Sequence, residues 1–436
     1  MSFPRSVTST ILICLLGAHV ATHAMDDRRR WIDAATGRQV VKVTPEPYAT
    51  LPYFTANSVS ADGKFMVYIS GKGLNLLDLD NFSTGNIVEA GRAELRVVEM
   101  GRKTNRLFYM KKQRAHDYAT LESIDLITRV KTVHAQLPPG YQVDSINADE
   151  SLAAGVLEQR TAEQSMNPKQ PVKRGAILYE RSKQKIPMSL FTVNLSSAAV
   201  SKIYQSTEWL SHPQFSPVDP ALLMYSIEGP WHEVDRLWTI RADGTQRRLI
   251  HKRTMEMEIA GHEFWSKDGK EILYDWQYPK GAAFYLASYD VDTGRRRAVP
   301  LDRSQWSVHF NSSLEPGLFV GDGADRSQVA RAPDSSAIIL YRTQAAKTSD
   351  PASGLIEAPA IKTEKLVDLR GHDYRLEPNA RLTPNNDWVI FRSNMFGTPA
   401  VFAVEVNKTS NTNLQPLSTY ELSKKIRSER TTQFME

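Results

Sequence analysis

Short apolar, β-rich runs recur along this chain, each opened by a polar turn built on Asp, Asn or Gly. Examples are Ser60-Ala-Asp-Gly-Lys-Phe-Met-Val-Tyr and Ser266-Lys-Asp-Gly-Lys-Glu-Ile-Leu-Tyr, with related turns opening at Gly101, Asn147, Ser216, Ser313 and Thr383. Between them lie second strands that close in another turn, such as Tyr289-Asp-Val-Asp-Thr-Gly. Strands alternating with tight turns at a repeat of roughly 40 to 70 residues predict four-stranded blades, and they match no helical solenoid. The seven turn-strand units predict an all-β, single-domain, seven-bladed β-propeller, although their irregular spacing also admits six or eight blades. A further turn-strand pair at Ala332-Pro-Asp-Ser-Ser is assigned within the sixth blade.

The propeller is expected over residues 53–408, preceded by a leader over 25–52 and followed by a tail over 409–436 that is available to close the last blade. Inserts at Thr161 to Arg174 and Thr343 to Glu364, rich in Pro, Lys, Gln, Ser and Ala, read as loops over one face. Residues 1–24 combine Arg5, an apolar stretch from Val7 to Ala21 too short to span a bilayer, and small residues before Asp26. That pattern predicts a cleavable export signal and a periplasmic or secreted product, with no membrane association after cleavage. Cys14, the single cysteine, lies inside the signal, so the mature chain would have no disulfide or thiolate metal site.

Of the 436 residues, 41% are hydrophobic and 24% charged, which excludes disordered and multi-span membrane classes. The 54 basic residues against 49 acidic ones leave a net charge of only +5. Basic runs such as Arg28-Arg29-Arg30 and Arg295-Arg296-Arg297 carry no interleaved aromatics, so a nucleic-acid partner is not expected. A mildly basic surface does suit a polyanionic sugar.

A propeller's sites lie where inner strands and their loops converge on the channel mouth. His212, His262 and His309 each stand a few residues before a blade's turn, and Glu377 and Asn379 stand in that place in the last blade. One such histidine is ordinarily a hydrogen-bonded structural residue; recurrence in equivalent slots predicts one shared site facing the axis. Trp231, Trp238, Trp265 and Trp306 read as blade packing, with one of them open to serving as a sugar platform. His232 and His251 read as surface or loop residues.

Several segments together resemble the oligogalacturonate lyases, polysaccharide lyase family 22. They are Ser226-Ile-Glu-Gly-Pro-Trp with Val234-Asp-Arg-Leu-Trp, Met257-Glu-Ile-Ala-Gly-His-Glu-Phe-Trp, Trp306-Ser-Val-His-Phe-Asn, Leu376-Glu-Pro-Asn and Phe391-Arg-Ser-Asn-Met-Phe-Gly. The resemblance implies a seven-bladed fold and β-elimination on short galacturonides, with an acidic oligosaccharide as substrate and a divalent ion, Mn²⁺ in the well-described members. It implies His212 as base, metal ligands from His262, His309, Glu377 and Asn379, and substrate contacts from Lys185, Glu228, Arg236 and Arg392.

The chain also departs from those members. Where they place Gln, His and His in the last segment, this chain has Tyr374, Glu377 and Asn379, donors that suit Ca²⁺ or Mg²⁺ as well. Lys185 stands where an arginine is expected, and Ile227 where a histidine is expected. The repeats alone do not exclude a second class, a non-catalytic periplasmic propeller that binds sugars or scaffolds envelope proteins.

Overall fold

The computed structural model describes residues 30–161, 174–332, 334–343, 360–408, 414, 416–421, 423 and 424. The expected export signal, Cys14, most of both inserts and most of the tail lie outside these residues.

Seven sheets, antiparallel except for one outer pair in the last, are arranged as the blades of a propeller. Blade 1 holds Phe65–Ser70, Gly73–Asp78 and Thr84–Glu89, with Thr50 and Val59 bridging its inner edge. Blades 2 and 3 start on the inner strands Glu94–Met100 and Tyr141–Ile146, and blades 4 and 5 on Trp209–Phe215 and Ile259–Trp265. Blade 6 runs from Phe310–Ser312 through Leu318–Gly321 and Ala337–Thr343 to Ile361–Asp368, so the extra turn-strand pair is its third strand.

Blade 7 is completed from the other end of the chain. Arg381–Leu382, Trp388–Ser393 and Ala400–Glu405 pair on to Gln39–Lys42, with Val40 opposite Val404 and Val41 opposite Ala403. Arg30–Asp33 and Pro416–Leu417 extend the same sheet outward. Residues 30–42, expected in a leader outside the propeller, are therefore part of it. Closing the ring with an N-terminal strand leaves no open edge between first and last blades and buries Val40 and Val41.

Burial explains the strand patterns. Second strands such as Leu222–Glu228 are buried along nearly their whole length, because neighbouring blades cover both faces. Outer strands such as Lys131–Leu137 alternate, because one face meets solvent. The recurring turn has its own chemistry. In blade 5 the Ser266 hydroxyl donates to Asp268 (2.7 Å) and accepts from the Glu271 N–H (2.9 Å), while Gly269 takes a φ of 70°. Blade 1 repeats it with Ser60, Asp62 and Gly63.

The helix Arg174–Lys183 follows the first insert and precedes the third strand of blade 3. No helix among the described residues is long and apolar enough to cross a membrane.

Candidate functional site

His212, His262, His309 and Asn379 each lie four positions before the residue that opens their blade's turn, namely Ser216, Ser266, Ser313 and Thr383. Three of these four have left-handed backbones, with φ of 50° at His212, 51° at His262 and 50° at Asn379. Pairing slips between Ser211 and Gln214 and between Gly261 and Phe264, so His212 and His262 sit in β-bulges. A bulge re-aims a side chain that a regular strand would hold to one face, and such backbone costs about 1–3 kcal/mol per residue.

The bulges bring the rings together. The His262 and His309 rings meet edge to face with centroids 5.1 Å apart. Tyr53, from the inner segment of blade 1, stacks on His212 at 5.8 Å and meets His309 at 5.4 Å, with its hydroxyl 3.4 Å from His309 Nε2. Phe54 lies beneath, 4.3 Å from the His309 ring, and its N–H donates to the Asn379 side-chain oxygen Oδ1.

Each histidine is backed by a carboxylate from the second strand of its own blade. His309 Nδ1 is 2.9 Å from Asp322 Oδ2, His212 Nε2 is 3.3 Å from Glu228 Oε1, and His262 Nδ1 is 3.6 Å from Asp275 Oδ2. Asp322 also accepts the backbone N–H groups of His309 (2.8 Å) and Asn379 (3.3 Å). This fixes the proton of His309 on Nδ1 and turns the Nε2 lone pair toward Tyr53 and toward Glu377, 3.9 Å away.

Buried charges surround His212. Arg236 is 4% exposed, with Nη1 2.5 Å from Glu228 and Nε and Nη2 each 3.2 Å from Glu263. Burial opposes the His212 charge, yet the Glu228 hydrogen bond and the Glu263 field outweigh it and raise its pKa. Burial likewise raises the Tyr53 phenol, and the Glu377 and Glu263 carboxylates add to it, so the phenol stays protonated. Burial opposes ionisation of Glu228, but Arg236 and the His212 hydrogen bond hold its carboxyl far below the usual range.

Other expected site residues have different surroundings. Arg236 is engaged by two protein carboxylates. Glu228 holds His212, Arg236 and the Trp231 indole N–H, so it supports the site from behind. Arg392 donates to Thr50 (2.6 Å), the Leu51 carbonyl and the Glu377 carbonyl. Lys185 is exposed just past the helix. The Asn379 amide is held by the Phe54 N–H and the Glu377 carbonyl, and the buried Tyr374 hydroxyl donates to the Asp322 carbonyl.

His251 corrects the surface reading. It is 5% exposed, bonded to Glu258 (2.7 Å) and Tyr274 (3.0 Å), because the loop after blade 4 folds back onto blade 5. Among the tryptophans, Trp306 and Trp265 are buried, whereas Trp231 is half-buried at the site. It packs on His262 at 5.0 Å, under the Arg236 guanidinium, over Gly261, where a Cβ would clash with its ring.

Sequence reasoning missed Tyr53, Glu263, Asp275 and Asp322. A signal for two of them exists: Asp275 and Asp322 each stand thirteen positions after their histidine. It also missed a pair beyond His212, Asp144 with Arg96 at 3.2 Å; His212 contributes to the field at Asp144, and Arg96 is 41% exposed.

The donor chemistry fits a divalent cation. His309 presents an oriented lone pair, the His262 ring meets it edge to face with Asp275 behind its Nδ1, and Glu377 supplies a carboxylate 3.9 Å from His309 Nε2. As the side chains stand, no three His, Cys, Asp or Glu groups among the described residues converge on one point.

Fold and site together define a seven-bladed β-propeller with a histidine- and carboxylate-lined pocket at one end of its channel. The chain belongs to the oligogalacturonate lyase family, whose model matches residues 25–410. It is 26% identical over 397 residues to an oligogalacturonide lyase of Pectobacterium atrosepticum, covering 86% of this chain and 95% of that one. An oligogalacturonate lyase of Dickeya dadantii is 24% identical over 384 residues. Among solved structures, an oligogalacturonate lyase in complex with manganese superposes with a TM-score of 0.70 at 23% identity, covering 87% of this chain and 96% of that one. An oligogalacturonate lyase from Vibrio parahaemolyticus gives 0.68 at 21% identity, which establishes the shared fold.

Proposed function

We propose that this protein cleaves short oligogalacturonides or related uronic-acid oligosaccharides by metal-assisted β-elimination, giving a 4,5-unsaturated uronate end. The observation that carries the reading is the meeting of two units in one pocket: His212 oriented by Glu228, and His262, His309 and Glu377 grouped beside it. Membership of the lyase family and the relative crystallised with manganese support it.

The elimination breaks C5–H and C4–O4 and forms the C4=C5 double bond. His212 is the base. Glu228 takes up Nε2, which leaves Nδ1 to accept the C5 proton. Tyr53, held protonated between His212 and His309, supplies a proton to the departing O4. Arg96, beyond His212, is an exposed cation suited to a substrate carboxylate. His262, His309 and Glu377 would hold the divalent ion, Mn²⁺ by kinship and Ca²⁺ or Mg²⁺ by donor type. When bound, the ion draws charge from the uronate carboxylate and so acidifies C5–H. The N-terminal pattern supports placing this activity in the periplasm or outside the cell.

The test is to mix purified protein with digalacturonate or trigalacturonate across a metal series and follow absorbance of the unsaturated uronate. Turnover that appears with a divalent ion and is lost in His212→Ala is expected. Folded protein inert toward every uronide and metal would overturn the reading.

A further inference from the structure

Phe54 divides the channel. Above it lies the histidine pocket; below it, toward the blade turns, is a second, small cavity of about 30 Å³ with an opening to solvent. Its wall contains Arg102 and Lys267, and these two occupy the same slot of blades 2 and 5, one position after the turn-opening Gly101 and Ser266. Lys267 is half-buried, and its ammonium has no hydrogen-bond or ion-pair partner among the described residues. Two positions before the turn of their own blades stand Asn311, which also lines the cavity, and Arg381.

The charge here is not balanced. Arg381 is 3% exposed; it donates through Nη2 to the Pro52 and Tyr53 carbonyls and leaves Nε and Nη1 without hydrogen-bond partners. Arg102 Nε and Asn311 Oδ1 are likewise buried and unpartnered. Glu99 is the one carboxylate among the described residues that line the cavity. Its oxygens are taken by the Asn57 and Ile146 N–H groups, by the Ser145 hydroxyl and, at 3.5 Å, by Arg102. Burial, with the Arg102 and Arg381 charges, pushes the Lys267 ammonium down to about 8, as expected for a cation lacking its counter-charge.

We infer that this turn-side cavity binds a small oxyanion, a phosphate or a uronate carboxylate, between Lys267 and Arg102. Two cations facing a small, partly enclosed cavity with unfilled donors are the arrangement in which an oxyanion gains charge-assisted hydrogen bonds. The inference rests on the channel's lower end and is independent of the lyase reading.

Calorimetric titration of the full chain with inorganic phosphate, and separately with monomeric galacturonate, tests it. The expected result is saturable binding in the unmodified protein and in His212→Ala. In Lys267→Met, affinity falls about tenfold or more, and Lys267→Arg restores it. Binding of phosphate alone identifies an inorganic oxyanion, and binding of galacturonate through the same lysine identifies a uronide carboxylate. Lys267→Met also raises the melting temperature in anion-free buffer, because it removes an unpaired cation. Absence of binding of either anion, or equal affinity in Lys267→Met, overturns the inference.

Discussion

Asp322 Oδ2 lies 2.9 Å from His309 Nδ1, and the same carboxylate grips the backbone N–H of His309 and of Asn379. One buried acid thus sets a histidine's tautomer and ties together the two last blades that contribute to the site. Asp322→Asn would offer His309 an amide, which can donate to Nδ1 and move the ring proton to Nε2. We expect bound divalent metal, measured by elemental analysis after dialysis, to be retained about 10- to 100-fold less tightly, with turnover falling in parallel. Unchanged metal retention would argue that His309 is not a ligand.

His212 predicts a pH profile. Its pKa is raised, and as a base it works when neutral, so kcat/KM should climb with pH through a value above the ordinary 6.5. Glu228→Gln removes the hydrogen bond that favours the imidazolium and should shift this limb toward lower pH. A limb that stays in place would assign the titration to another group.

Arg236 predicts a stability effect larger than its effect on binding. Arg236→Met strands Glu228 and Glu263, 8% and 2% exposed, without their cation. Loss of one partner of a buried ion pair costs about 3–5 kcal/mol, readable by urea unfolding. The deficit should shrink as pH falls, since the stranded carboxyls then accept protons. A deficit that is equally large at pH 4.5 and 7.5 would contradict this account.

His372 works in the opposite sense to His212. Its Nε2 donates to the Leu376 carbonyl (2.6 Å) and its Nδ1 lies 3.3 Å from the Asn394 N–H, so burial holds it neutral with a pKa lowered to about 4. The unfolded chain takes up the proton first. Stability present above pH 6.5 should therefore be lost as pH falls toward 4, by on the order of 3 kcal/mol, and His372→Gln should flatten that slope. His212, with its raised pKa, contributes stability that is lost as pH rises.

Much of this was legible along the chain because a blade is a local object. A turn such as Ser266-Lys-Asp-Gly needs only neighbours to form, so blade number and the slots of His212, His262 and His309 could be counted before any tertiary structure was considered. The closing strand Gln39–Lys42 could not be placed this way, since its partner Ala400–Glu405 lies at the far end of the sequence. Arg236 is the clearest divergence. In sequence it is a cation near a His-bearing strand, and only the meeting of Glu228 and Glu263 from two blades turns it into a structural counter-charge.

The amino-acid sequence by itself determined the seven-fold repetition, the candidate histidines and the family resemblance, because these rest on residue type and short spacing. Tertiary structure decided which groups each histidine faces. Bulges at His212 and His262 rotate side chains off the strand's two-residue period, while Tyr53, Asp275 and Asp322 reach them from other strands. It also decided that Lys267 and Arg102, far apart in sequence, share one cavity whose lining carboxylate, Glu99, is already engaged. Charge and hydrogen-bond balance depends on distance through space, and local pattern does not carry that distance.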